Sequence, residues 1–277
     1  MEWRKLKDII ILILLLVNGF LLVLVGSRWG ESQQYERSAL DGVVQVLENN
    51  GVRVDRDAAA PADALVPLTI ERDLDREAKL ARALLGDETE ADNRGGGLYL
   101  YRSGLGEVSI RPGGELSAQL THDNWWHSEK PEALAASLLK DMGLDFQSAG
   151  TDGQGGWTFV RFRQLWDGVP LFSCEVEFAF EDGFLRTIQG TLLAVGQPGT
   201  EDGQVLDLPT ALLRFLDGVT ATGDVCTAVR AMVPGSRASS TPLSGGVRLT
   251  AAWLVSTDTA DYYLDGATGA LSRVPNR

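Results

Sequence analysis

The chain has 277 residues, 44% of them apolar and 23% charged, and a net charge of −13. That length and apolar fraction suffice for real hydrophobic cores and exclude a disordered polymer. The acidic balance argues against nucleic acid or an anionic membrane surface as the ligand of the folded part.

The first feature along the chain is the run Ile9 to Val25, seventeen residues without a formal charge, interrupted only by Asn18 and Gly19. As a helix it spans roughly 25 Å. Leu6 and the stem of Lys7 bring it close to a hydrocarbon core of about 30 Å. Trp3 and Trp29 flank it, where indoles favour a membrane interface. Arg4, Lys5 and Lys7 precede the run and Arg28 follows it, so the positive-inside rule makes residues 1–8 cytoplasmic. The pattern predicts a transmembrane anchor over 9–28, with the rest of the chain outside the cell membrane. A cleaved signal peptide competes with this reading, but its apolar region is usually shorter and ends in small-x-small. Here Val25-Gly26-Ser27-Arg28 follows instead. Within the span, Asn18 and Gly19 are the candidate partner-binding residues. An amide in lipid seeks a hydrogen-bond partner or its own backbone, and a glycine lets a second helix approach.

After the anchor, residues 29–121 read as a first α+β module. Tyr35, Leu40, Val43, Val44 and Leu47 recur at helical spacing before Gly51. A short strand at 51–54, an Ala/Pro/Asp linker at 57–64 and a strand at 65–71 follow. Asp75 to Leu85 is an amphipathic helix stopped by Gly86. Residues 98–120 alternate in three short runs split at Ser103-Gly104 and Pro112-Gly113-Gly114, the pattern of antiparallel hairpins.

Residues 122–277 read as the second module. Pro131 opens a helix with Ser128 as its expected N-cap and Gly143 at its end. Trp157 to Val195 then alternates clearly. Cys174, Val176, Phe178 and Phe180 share one side of a strand, Glu175 and Glu177 the other, with turns at Asp167-Gly168 and Asp182-Gly183. Three strands of about eight residues are expected here. A helix from Thr210, a Pro/Ser/Gly loop from Pro234 to Gly246 and strands turning at Thr257-Asp258 and Asp265-Gly266 complete the chain. The fold class expected is thus α+β: an N-terminal transmembrane helix followed by two small modules of antiparallel sheet packed with helices.

Three catalytic signatures are missing from the sequence: it has no phosphate loop, GxSxG elbow or HExxH. His122 and His127 lie five apart with only Asp123 nearby, which reads as structural or surface histidine rather than a metal site. Trp125-Trp126 reads as an interface plug. Glu175 and Glu177 read as solvated side chains rather than a glycosidase pair. Cys174 reads as a small core residue; an oxidising exterior would permit a bridge to Cys226, but spacing does not decide it. No catalytic residue, cofactor or metal site is expected, and the chain reads as a non-enzyme.

Three stretches carry a family resemblance. The opening Met1 to Ile10, with Trp3 and Lys7 just before the span, resembles the start of YycI proteins. Gln164, Gly168, Pro170 and Phe172, followed by Gly183 and Gly190, resemble a turn of the YycI/YycH ectodomain, itself similar to PepSY-like folds. The closing Ala252-Trp253-Leu254-Val255 and Tyr262 through Gly269 resemble that family's last strands. The resemblance implies a membrane-anchored regulator of a WalK/WalR (YycG/YycF)-type two-component system that controls cell-wall metabolism. It implies two protein partners, a WalK-like sensor histidine kinase and a YycH-like protein. The other reading is a PepSY-type exterior module that binds or inhibits a cell-wall or secreted hydrolase.

Overall fold

The computed structural model describes residues 38–55, 65–122, 124–200, 203–240 and 246–275. Four helices are described: α1 (38–49), α2 (Leu74–Leu85), α3 (Pro131–Asp141) and α4 (Leu208–Thr222). Local chemistry sets their limits. Asp73 caps α2 by accepting a hydrogen bond from the Arg76 amide at 3.0 Å, and Gly86 stops it at φ +84°. Asp207 does the same for α4 through the Thr210 amide, with Gly223 in the left-handed region beyond its end. Ser128 does not cap α3. Its hydroxyl accepts from the Lys130 amide, and Lys130 holds the cap position without a side-chain bond.

Three segments share one plan, a helix followed by a four-stranded antiparallel meander. The first is α2 with β3 (Glu90–Asn93), β4 (Tyr99–Ser103), β5 (Gly106–Ile110) and β6 (Glu115–Leu120). The second is α3 with β7 (Asp145–Gln154), β8 (Trp157–Trp166), β9 (Val169–Glu181) and β10 (Phe184–Thr191). The third is α4 with β12 (Ala228–Ser240), β13 (Val247–Thr257), β14 (Asp261–Asp265) and β15 (Leu271–Arg273). Short strands β1 (Arg53–Val54), β2 (Leu68–Arg72) and β11 (Val195–Thr200) fill in around the third unit: β1 on β12, β2 on β13, β11 on β2.

The last strands of the first two units, β6 and β10, pair antiparallel from Thr187↔Gln119 to Thr191↔Glu115. Eight strands therefore run β7-β8-β9-β10-β6-β5-β4-β3, an order that reads the same from either edge. The third unit joins at β9, where Ser236 of β12 pairs parallel with Leu171. Gly235 makes that approach possible, because a Cβ there would run into the Phe172 ring and the Pro170 carbonyl.

This corrects the expected fold class. The described protein is mostly β, with fifteen strands in one hydrogen-bonded sheet rather than a transmembrane helix and two small modules. Among the described residues no helix is long and apolar enough to cross a membrane, and Ile9 to Val25 lies outside them. The physical reason for the large sheet is edge pairing. A strand's alternation shows which face is buried, not which neighbour takes its free N–H and C=O row. Two further corrections concern strands. β12 runs through Pro234 and Gly235, where a loop is expected from composition. β7 is a fourth strand of the second meander, polar and mostly exposed, so it lacks the apolar alternation that marks a strand.

Both hairpin turns expected between Trp157 and Val195 are present. Asp167 and Gly168, and Asp182 and Gly183, all have positive φ, the type I′ geometry that fits the strand twist. Helices α2 and α3 cover one face of the eight-stranded sheet and bury Leu84, Leu85, Leu138 and Leu139 against Val160, Phe178 and Ile188. Helix α4 packs Leu212 and Phe215 on Trp253 and Tyr262 in the third unit.

Candidate functional site

Residues directly opposite one another across a sheet share a face. One row of the eight-stranded sheet reads Val160, Phe178, Ile188, Ala118, Val108, Tyr101 from β8 to β4, and every member is buried under the helices. The next row reads Arg161, Glu177, Gln189, Ser117, Ser109, Leu100, Asp92, and none of these is buried. One residue of offset thus separates an apolar core from an open polar face.

The chemistry of that open face is concentrated on β8. Trp157, Phe159, Arg161 and Arg163 occupy alternate positions and share it. The Trp157 and Phe159 rings lie 6.1 Å apart and nearly parallel, at 13°. Arg161 bonds Asp152 of β7 and approaches Glu177 of β9 at 3.9 Å. Arg163 Nη2 donates to Glu175 Oε2 at 3.1 Å, and Arg186 Nε donates to Glu181 at 3.1 Å. Each of these carboxylates lies against an arginine, the pairing that planar guanidinium donors favour.

Where the face approaches the third unit it deepens into a groove of about 580 Å³. Ala149, Asp152, Arg161, Arg163 and Glu175 form one side, and Asp261, Tyr263, Val274 and Pro275 the other. Two buried polar ties support the surroundings. Gln164, beside the β8 bulge, donates to the Leu193 carbonyl and accepts from the Leu193 amide, both at 2.9 Å. Arg72 of β2 grips buried Glu77 of α2 through Nε at 2.7 Å and Nη2 at 2.8 Å. Burial, and then the Glu77 charge, push the nearby Tyr101 hydroxyl up to about 12.

The residues singled out in the sequence are dispersed. Asn18, Gly19 and Asp123 lie outside the described residues. His127 packs on Phe184 with ring centroids 4.3 Å apart. No group of three or more potential metal-ligating His, Cys, Asp or Glu residues occurs among the described residues. Trp126 donates its indole N–H to the Leu84 carbonyl at 3.0 Å, fastening α2 beside the β10 entry, while Trp125 is exposed. Cys174 and Cys226 are both buried and unbridged, in separate clusters, and burial pushes the Cys174 thiol up to about 12. Glu175 and Glu177 do share one face, paired to Arg163 and Arg161. Sequence reading missed those arginines as partners, although the Trp-x-Phe-x-Arg-x-Arg alternation of β8 carries the signal. The wall from β14 comes from nearly a hundred residues away, and no local pattern announces it.

The class this defines is an open-faced antiparallel sheet backed by helices. No family model matches the chain, and no curated protein matches it. Among solved structures it is similar to the Bacillus megaterium YpeB C-terminal domain at 12% identity and a TM-score of 0.40, covering 75% of this chain and 100% of that one.

Proposed function

We propose that this chain is a non-enzymatic binding and regulatory module that engages a protein partner through the open face of its sheet. The observation that carries the reading is the β8 stripe. Trp, Phe and two Arg residues stand on alternate positions of a strand paired on both sides, while the surrounding face is largely Ser, Gln and paired charge. Trp and Arg dominate interface energetics because each contributes a large contact area with a polar handle. The YycI resemblance supplies the finer proposal, in which the partners are a WalK-like sensor kinase and a YycH-like protein. The module then works at the outer surface of the cell membrane and tunes cell-wall metabolism.

The test is recovery of a sensor histidine kinase by full-length chain, compared with a Trp157→Ser/Phe159→Ser variant. The reading expects kinase with the parent chain and at least a tenfold loss with the variant. Equal recovery from both would move the contact off this face. A cell-wall hydrolase in place of the kinase would select the hydrolase-binding reading.

A further inference from the structure

The three helix-plus-meander units end differently. In the first two, the last strands β6 and β10 take each other as partners and join the units into one sheet. The third unit's last strand, β15, pairs only with β14 among the described residues. The ladder shows which backbone groups that leaves over. The Val274 amide donates to the Asp261 carbonyl at 2.8 Å, and the Ala270 carbonyl accepts from the Asp265 amide at 2.9 Å. Backbone groups of residues 270, 272 and 274 therefore point at β14, and those of Leu271 and Arg273 point away from it. The outward pair has no backbone hydrogen-bond partner among the described residues. Other sheet edges carry devices that discourage pairing. β3 is four residues long and holds Glu90 and Asp92. β7 has a register shift between Ser148 and Gly150 and holds Asp145 and Asp152, and β11 contains Pro198. β15 has no acid, proline or register shift.

We propose that β15 is a homodimer edge, pairing antiparallel with β15 of a second copy of this chain across a two-fold axis at Ser272. The internal β6–β10 joint supplies the precedent: two like units meet through their last strands. A two-fold contact also requires a self-complementary strand. With Leu271 opposite Arg273 of the second copy, the outward N–H and C=O groups of both strands are all satisfied. Sliding one way sets the two Arg273 side chains opposite each other and brings Pro275, which has no N–H, against Leu271. Sliding the other way brings Arg273 against Gly269, whose amide already donates to the Asp265 carbonyl. The helix layer obeys the same operation. Leu271 packs beneath α4 at Gly218 and carries the third core to the strand's edge. Helices α2 and α3 share one core over β6 and β10, and two α4 helices come together in the same way over paired β15 strands.

The test is oxidative crosslinking of the full chain carrying Ser272→Cys, against Leu271→Cys and Arg273→Cys. At the axis, residue 272 faces its own copy as a non-hydrogen-bonded pair, with Cα atoms about 4.5 Å apart and within disulfide reach. Positions 271 and 273 face each other rather than themselves. Cys174 and Cys226 are buried and add little background. Ser272→Cys is expected to give a disulfide-linked dimer at least tenfold above either neighbour. Sedimentation of the full chain in detergent over about 1 to 100 µM is the second measurement. It should show a monomer–dimer equilibrium, weakened at least tenfold by Arg273→Pro, which deletes an outward N–H and spares the bonds to β14. A monomer throughout, no linkage from Ser272→Cys, equal linkage from all three positions, or association unchanged by Arg273→Pro overturns the proposal. These variants leave Trp157 and Phe159 untouched, so failure here leaves the partner-binding reading standing.

Discussion

The first and second helix-plus-meander units are built alike and used differently. Their helix-facing rows are interchangeable in character: Tyr101, Val108 and Ala118 in one, Val160, Phe178 and Ile188 in the other, all buried. Their outward rows diverge. The first unit presents Leu100, Ser109 and Ser117 on strands of four to six residues, and its edge strand β3 is short and carries two acids. The second presents the Trp157, Phe159, Arg161, Arg163 stripe on strands of eight to thirteen residues. The apolar side is constrained by packing, and the open side is free to acquire binding chemistry. Under the proposed binding reading, the contact therefore falls on the second unit.

If the inner rows are purely structural, Phe178→Ala should cost about 3–5 kcal/mol of stability, read as a lower urea midpoint in full-length chain. A loss below about 1 kcal/mol would break the claim that this row is core. The ties of the two units sharpen the contrast. Arg72→Met strands buried Glu77 in the first unit and should cost about 3–5 kcal/mol, with the double change Arg72→Met/Glu77→Leu recovering much of it. Gln164→Leu in the second unit removes a neutral tie and should cost about 1–3 kcal/mol by orphaning the Leu193 backbone. Outward changes should be milder still. Trp157→Ser/Phe159→Ser should shift the midpoint by less than about 1 kcal/mol while weakening partner binding.

The smallest effect belongs to the third unit. The Asp258 carboxylate accepts from the Thr227 hydroxyl and from the Thr227 and Ala228 amides, which hold its pKa down at about 2 against an ordinary 3.8. Its folded-state pKa is depressed, so its contribution is complete above the unfolded value and fades as pH falls toward 2. Asp258→Asn should remove that acid-limb dependence, and carboxyl chemical-shift titration should show its midpoint well below those of exposed aspartates.

Much of the local structure was legible because it is written in local chemistry. Asp-Gly pairs announced the β8–β9 and β9–β10 turns, Gly86 the end of α2, and the alternation through Cys174, Val176, Phe178 and Phe180 the buried side of β9. What was not legible depends on partners distant in the chain. The β6–β10 pairing, which turns two expected modules into one sheet, leaves no mark on either strand. Pro234 and Gly235 spelled a loop, and the close approach of the Phe172 ring and the Pro170 carbonyl to β12 explains a glycine there. The open face follows the same division. Its residues could be read from β8, but the β14 wall that makes a groove of it could not.

The most direct measurement places a photo-crosslinking amino acid at Phe159 of the second unit and, separately, at Ser109 of the first, in full-length chain within native membranes. The account predicts a discrete protein adduct from position 159 and none from position 109. Adducts of equal yield from both positions, or from 109 alone, would contradict it.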